Sequence, residues 1–129
     1  MRSDSSRQHY LKQKGQSFAY FRVSKEDSAR INSGQFTLFD FISNCFSFST
    51  AKKRVAAQVL AELKQKPASF KQIQESMGLK KSTLFMVVLA LERAGLVERE
   101  GKNKPMRLSQ GFSSVLGSYA SWWGRWNEQ

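Results

Sequence analysis

A mainly α-helical domain closed by a small basic β-hairpin is the fold class that this sequence predicts, and three observations predict it. Within Leu79–Glu100, Leu84, Val87, Val88 and Leu91 recur at helical spacing, and Gly95 stops the helix because glycine enters the left-handed conformation without steric cost. Leu96–Glu100 then changes to a strand-like period, which Pro105–Leu108 answers across Gly101–Lys104 in the pattern of a hairpin. Two more helical patterns, separated by short turns, lie upstream. Helix, helix, helix and basic hairpin make a winged helix-turn-helix, here with additional N- and C-terminal helices.

The totals agree with that class and exclude others. A chain of 129 residues with 40% apolar content suits one domain with appendages. No apolar run suggests a membrane span or a signal peptide, so a soluble, cytoplasmic protein is expected. The lone cysteine, Cys45, sits among phenylalanines as a small hydrophobe, and it excludes an intrachain disulfide or a multi-cysteine zinc site. The lone histidine, His9, lies in a polar tail, so a catalytic triad has no foundation. Neither a phosphate-cradling glycine loop nor a metal-spaced carboxylate set is present, and neither enzymatic activity, a cofactor nor a metal is expected.

The net charge of +11 is informative through its distribution. Residues 51–110 carry 13 basic against 5 acidic side chains, so the excess sits on the helix-turn-helix and wing. Polyanion binding follows, because each neutralised phosphate releases counterions. The competing reading is a basic surface that serves solubility.

In chain order, residues 1–16 are polar and basic without periodicity, the pattern of a flexible arm. The single domain is expected over residues 17–129, with its core at 50–110 and packing or dimerisation segments at 17–48 and 110–126. Ser17–Val23 reads as a short strand, and Ser24–Asp27 opens a short helix before Gly34. Phe36–Phe48 has five phenylalanines among thirteen residues. A helix from about Gln35 to Phe46 puts Phe39, Ile42 and Phe46 together, to cover either the three-helix core or a second subunit.

Ser49 or Thr50 caps the next helix, and Val55, Ala56, Val59, Leu60 and Leu63 form its core face. Lys52, Lys53 and Arg54 oppose the dipole in its first turn, a conflict that a phosphate would relieve. Ser69 and Gln72 form a capping-box pattern for a helix over Phe70–Met77, and Gly78 supplies the turn.

From Leu79 to Val97 the chain resembles the third helix of the MarR-like and ArsR-like bacterial and archaeal regulators, where LSxSTVxRxLxRLExxGLV precedes a charged hairpin. The resemblance covers roughly residues 50–110 and implies a homodimer on double-stranded DNA, most plausibly in transcriptional regulation. Lys80, Lys81, Ser82, Thr83 and Arg93 would then approach the groove, Arg99, Lys102, Lys104 and Arg107 would act from the wing, and Lys52, Lys53 and Arg54 would take flanking phosphates. The chain departs from the family pattern in the middle of this helix. Phe85, Met86, Leu89 and Ala90 stand where base-reading side chains would be exposed. Lys80 also replaces the usual capping serine, which moves the expected cap to Ser82.

Three readings of that apolar face are open: only the helix start enters the groove, the helix packs in an interface, or the module binds protein. Pairing through this helix is similar to that in the winged helices of plasmid tubulin-type partition systems. A partition or DNA-organising protein and a protein-interaction module in a nucleic-acid complex therefore stand beside the regulator. No small-molecule effector can be inferred.

Ser109 is expected to cap a last helix, about Gln110–Trp126. Phe112, Val115, Leu116, Tyr119, Trp122, Trp123 and Trp126 fall within an arc of about 120° on it. The opposite face is small rather than basic, which disfavours membrane-surface binding. Either a dimer contact or packing within one subunit would cover the stripe. The interface expected from sequence comprises Phe39, Ile42, Phe46, Phe85, Leu89, Phe112, Leu116, Tyr119, Trp122, Trp123 and Trp126.

Overall fold

The computed structural model describes Phe18 and residues 20–129. The arm expected at residues 1–16 therefore lies outside the described residues. The described chain is mainly helical: α1 (Lys25–Asn32), α2 (Leu38–Cys45), α3 (Thr50–Gln65), α4 (Phe70–Met77), α5 (Lys81–Arg93) and α6 (Phe112–Asn127), with strands β1 (Val97–Glu98) and β2 (Arg107–Leu108) between α5 and α6. The strands pair antiparallel, with Val97 opposite Leu108 and Glu98 opposite Arg107. Ala68, before α4, exchanges backbone hydrogen bonds with Met106 at 3.1 and 2.8 Å, which ties the hairpin to the start of the helix-turn-helix. This is a winged helix-turn-helix with additional helices at both ends.

Each helix starts where the local chemistry allows. Ser49 accepts the Lys52 N–H and caps α3. Ser69 and Gln72 close the reciprocal capping box on α4, which satisfies two otherwise orphaned N–H groups. Gly78 ends α4 at φ 64°, where a side chain would strain the backbone. Ala56, Val59, Leu60 and Leu63 of α3 then meet Ile73 of α4 and Leu84, Val87, Val88 and Leu91 of α5, with Val97 and Met106 closing the core from the hairpin.

Two expected caps are corrected. Lys80, not Ser82, is the N-cap of α5, and no side chain caps that end. Gly78 and the packing of Leu79 on the core fix the entry, so Leu84 N–H already bonds Lys80 C=O. Ser109 does not cap α6, because its own N–H continues the hairpin by donating to Leu96 C=O at 2.8 Å. α6 instead starts at Phe112, after Gly111.

The phenylalanine-rich segment covers the three-helix core of the same chain. α2 runs from Leu38 rather than Gln35, because Thr37 and Asp40 form a capping box there. Ile42 and Phe46 have no exposed surface, and Phe46 stacks on Phe48 with ring centroids 4.9 Å apart. As interface residues both are corrected, since neither has surface left for a partner. Burial among these groups pushes the Cys45 thiol up to about 12, which leaves it an inert hydrophobe. Within the range of the expected strand at 17–23, the Tyr20 and Arg22 N–H groups donate to the carbonyls of Cys45 and Asn44. None of its described residues forms a strand.

The Thr37–Asp40 box makes α2 sensitive to acid. The Thr37 backbone N–H, then its hydroxyl, and also Arg30 at 2.7 Å hold the Asp40 carboxyl below its ordinary value. A carboxyl depressed on folding stabilises above its ordinary pKa and loses that contribution as pH falls through the lowered one. Asp40→Asn should therefore melt below the parent at neutral pH and converge with it in acid, as read by thermal denaturation across pH.

Candidate nucleic-acid interface

The start of α5 combines charge with unsatisfied backbone. Lys80 and Lys81 are exposed there, and Ser82 and Thr83 are half-buried behind them. The first N–H groups of any helix lack intrahelical partners. Side chains supply one on α2, α3 and α4 but not on α5. At its other end Arg93 is exposed. Lys102 and Lys104 are exposed on the hairpin turn, which Gly101 C=O and Lys104 N–H close at 3.0 Å. None of these five cations makes an ion pair among the described residues.

Of the other expected cations, all but Arg54 are engaged within the chain. Arg107 donates to Glu98 directly across the hairpin at 2.8 Å. Arg99 lies 3.2 Å from Glu92 on α5. The Lys52 and Lys53 ammoniums sit over the rings of Phe18 and Phe39, 5.4 and 5.8 Å from the centroids. The conflict of these lysines with the α3 dipole is thus eased by aromatic faces, without a phosphate. Arg54 alone of that trio is exposed.

The apolar face expected on the middle of α5 is largely absent. Met86 and Ala90 are buried, and Phe85 packs edge-on against Phe70 of α4 at 6.4 Å. Phe85 and Leu89 are half-buried within the protomer, so little of this helix is left for an interface. The reason is that α5 packs against α3 and β1 and meets Phe70 of α4 through Phe85, so more of its circumference is covered than its apolar period suggests.

The opposite holds for α6, which has no buried residue. Phe112 meets Phe41 edge-on at 6.2 Å, and Leu116 borders a cleft of about 390 Å³ together with Phe21, Val23, Ile31, Phe36 and Phe41. Beyond that root the helix stands free. Tyr119 is 66% exposed, and Trp122, Trp123 and Trp126, stacked on one another, are 54–56% exposed. Its own subunit thus covers the root of the stripe and leaves Tyr119 and the three tryptophans largely exposed. Sequence reasoning missed the cleft because Phe21, Val23 and Ile31 come from an irregular stretch with no period. It also missed Glu92, whose partner lies beyond the Gly95 turn.

Fold and surface define the class: a winged helix-turn-helix whose uncapped third helix and hairpin turn carry unpaired lysines. The family model of the MarR family matches residues 56–104, from within α3 to the hairpin turn, and that segment is similar to the family. No curated protein and no solved structure matches the chain. Among the described residues, no helix is long and apolar enough to cross a membrane.

Proposed function

We propose that the protein binds double-stranded DNA as a homodimer and acts in transcriptional regulation. The observation that carries the reading is the uncapped, doubly basic start of α5. Its free N–H groups and the adjoining Lys80 and Lys81 favour a phosphate oxygen. Lys102 and Lys104 supply a second set of contacts from the wing, with Arg93 and Arg54 as further phosphate ligands. Ser82 and Thr83 donate from the first turn of α5. The match of residues 56–104 to the MarR family supports the same reading. Base-edge readout through mid-α5 is minor, because Met86 and Ala90 are buried and Phe85 and Leu89 are apolar. Backbone contacts therefore dominate affinity.

A second copy covers α6. Phe112 and Leu116 at its root, then Tyr119, Trp122, Trp123 and Trp126, form a contiguous apolar face that a monomer would leave in water. Phe39 and Leu38 on α2, 39% and 43% exposed, offer further apolar surface to a partner. The dimer would present two α5 starts to half-sites about one helical turn apart, roughly 34–36 Å.

Lys81→Ala and Lys102→Ala test the groove-and-wing assignment, since both side chains are exposed and neither substitution touches the core. Each should weaken duplex binding by several-fold in fluorescence anisotropy while the melting temperature stays at the parent value. Parent-like binding by both variants at physiological salt overturns the assignment.

A further inference from the structure

Arg99 does not belong with the DNA-contacting cations: we propose that it is a positioning residue that clamps the wing to the end of α5. The inference rests on the DNA-binding reading for its consequence, though not for its geometry. Arg99 Nη2 lies 3.2 Å from Glu92 Oε1, in the last turn of α5, and Nη1 donates to the Lys102 carbonyl at 3.2 Å. One guanidinium thus spans the helix, the strand edge and the hairpin turn. Its side chain is 13% exposed, against 54% for Arg107, whose pair with Glu98 stays within the hairpin.

The partner of Arg99, Glu92, is 27% exposed but turns one carboxylate oxygen inward. Glu92 Oε1 is closed to water, and among the described residues no donor is aligned to hydrogen-bond it. The positive charge of Arg99 is therefore what compensates that oxygen, and removal of either partner leaves the other uncompensated. The fork of guanidinium donors suits the double task, because it can face a carboxylate and a carbonyl at once. A lysine offers one compact charge and cannot hold both.

Val97, Met106 and the Ala68–Met106 bonds fix the base of the hairpin, and the clamp acts beyond them, at the turn. Each strand is two residues long, and the exposed turn carries Lys102 and Lys104. With the clamp closed, those lysines keep a set position relative to Lys81, so the ordering they need for a phosphate is made before DNA arrives. With the clamp open, they lose that position while keeping their charge.

Glu92→Gln separates this role from direct phosphate contact, because the two predict opposite signs. If Arg99 were a phosphate ligand held back by Glu92, neutralising Glu92 would release it, add to the net positive charge and tighten DNA binding. For a clamp, Glu92→Gln loosens the hairpin and weakens binding several-fold despite the added charge. Hydrogen exchange on the free full-length protein reads the clamp without DNA. In Glu92→Gln and Arg99→Lys, amides of residues 99–104 should exchange faster, with α3 and mid-α5 amides still protected as proof that the fold is intact. Tighter or unchanged DNA binding in Glu92→Gln, or parent-like exchange of the hairpin, overturns the proposal. If the parent fails to bind duplex DNA while the exchange result holds, the clamp stands and the DNA-binding reading falls.

Discussion

Duplex binding by the intact protein should fall ~10³-fold or more between about 50 and 200 mM salt, as expected when six or more phosphates are engaged. Of the cations proposed to face DNA, Lys80, Lys81, Arg93, Lys102 and Lys104 make no ion pair among the described residues, Arg54 is exposed on α3, and a dimer would double them. Each phosphate neutralised releases condensed counterions, so the logarithm of affinity should fall linearly with the logarithm of salt. Sequence should matter less than salt, because mid-α5 offers no Arg, Asn, Gln or Lys to a base edge. Anisotropy titrations on two unrelated duplexes over a salt series measure both quantities. A salt-independent affinity would show that the basic surface is not the binding surface.

Truncation after Gln110 should abolish the dimer. It removes α6 and with it Tyr119 and three tryptophans, each more than half exposed in the protomer. Burial of one large aromatic contributes about 1.5–3 kcal/mol, so four of them can sustain association even after its entropic cost. Little of the protomer depends on α6, since none of its residues is buried and it meets the rest of the chain at its root, through Phe112 and Leu116. The truncated chain should therefore stay folded, sediment as a monomer or aggregate through the uncovered cleft, and bind DNA far more weakly for want of a second half-site. Trp122→Ala with Trp126→Ala should act in the same direction and more gently. A truncated chain that still sediments as a dimer would place the interface elsewhere, on α2 and the N-terminal stretch.

The helical core was legible because its information is local. The period of Ala56, Val59, Leu60 and Leu63, the Ser69–Gln72 box and the glycine at 78 each decide a backbone conformation within a few residues. What was not legible depends on groups distant in the chain. Ser109 resembles a cap until its N–H is claimed by Leu96, and Ser82 until Leu79 pins the helix entry two residues earlier. A period shows that a face requires burial, not what buries it. Phe46 and the α6 stripe look alike in sequence, yet Phe46 is enclosed by its own chain and Trp122 is not. Charge behaves the same way. Lys52, Lys53, Arg99 and Arg107 all read as phosphate ligands until their aromatic and carboxylate neighbours are known. The set proposed to face DNA contracts accordingly to those expected cations that make no ion pair or aromatic contact among the described residues.

Sedimentation of the intact chain, alone and with a duplex long enough for two half-sites, tests the central claim most directly. A dimer is expected at a concentration on the order of ten micromolar. Also expected is a complex of two protomers per duplex at low salt that dissociates as salt is raised. A monomer that does not shift the duplex at low salt would contradict both the dimer and the DNA-binding surface.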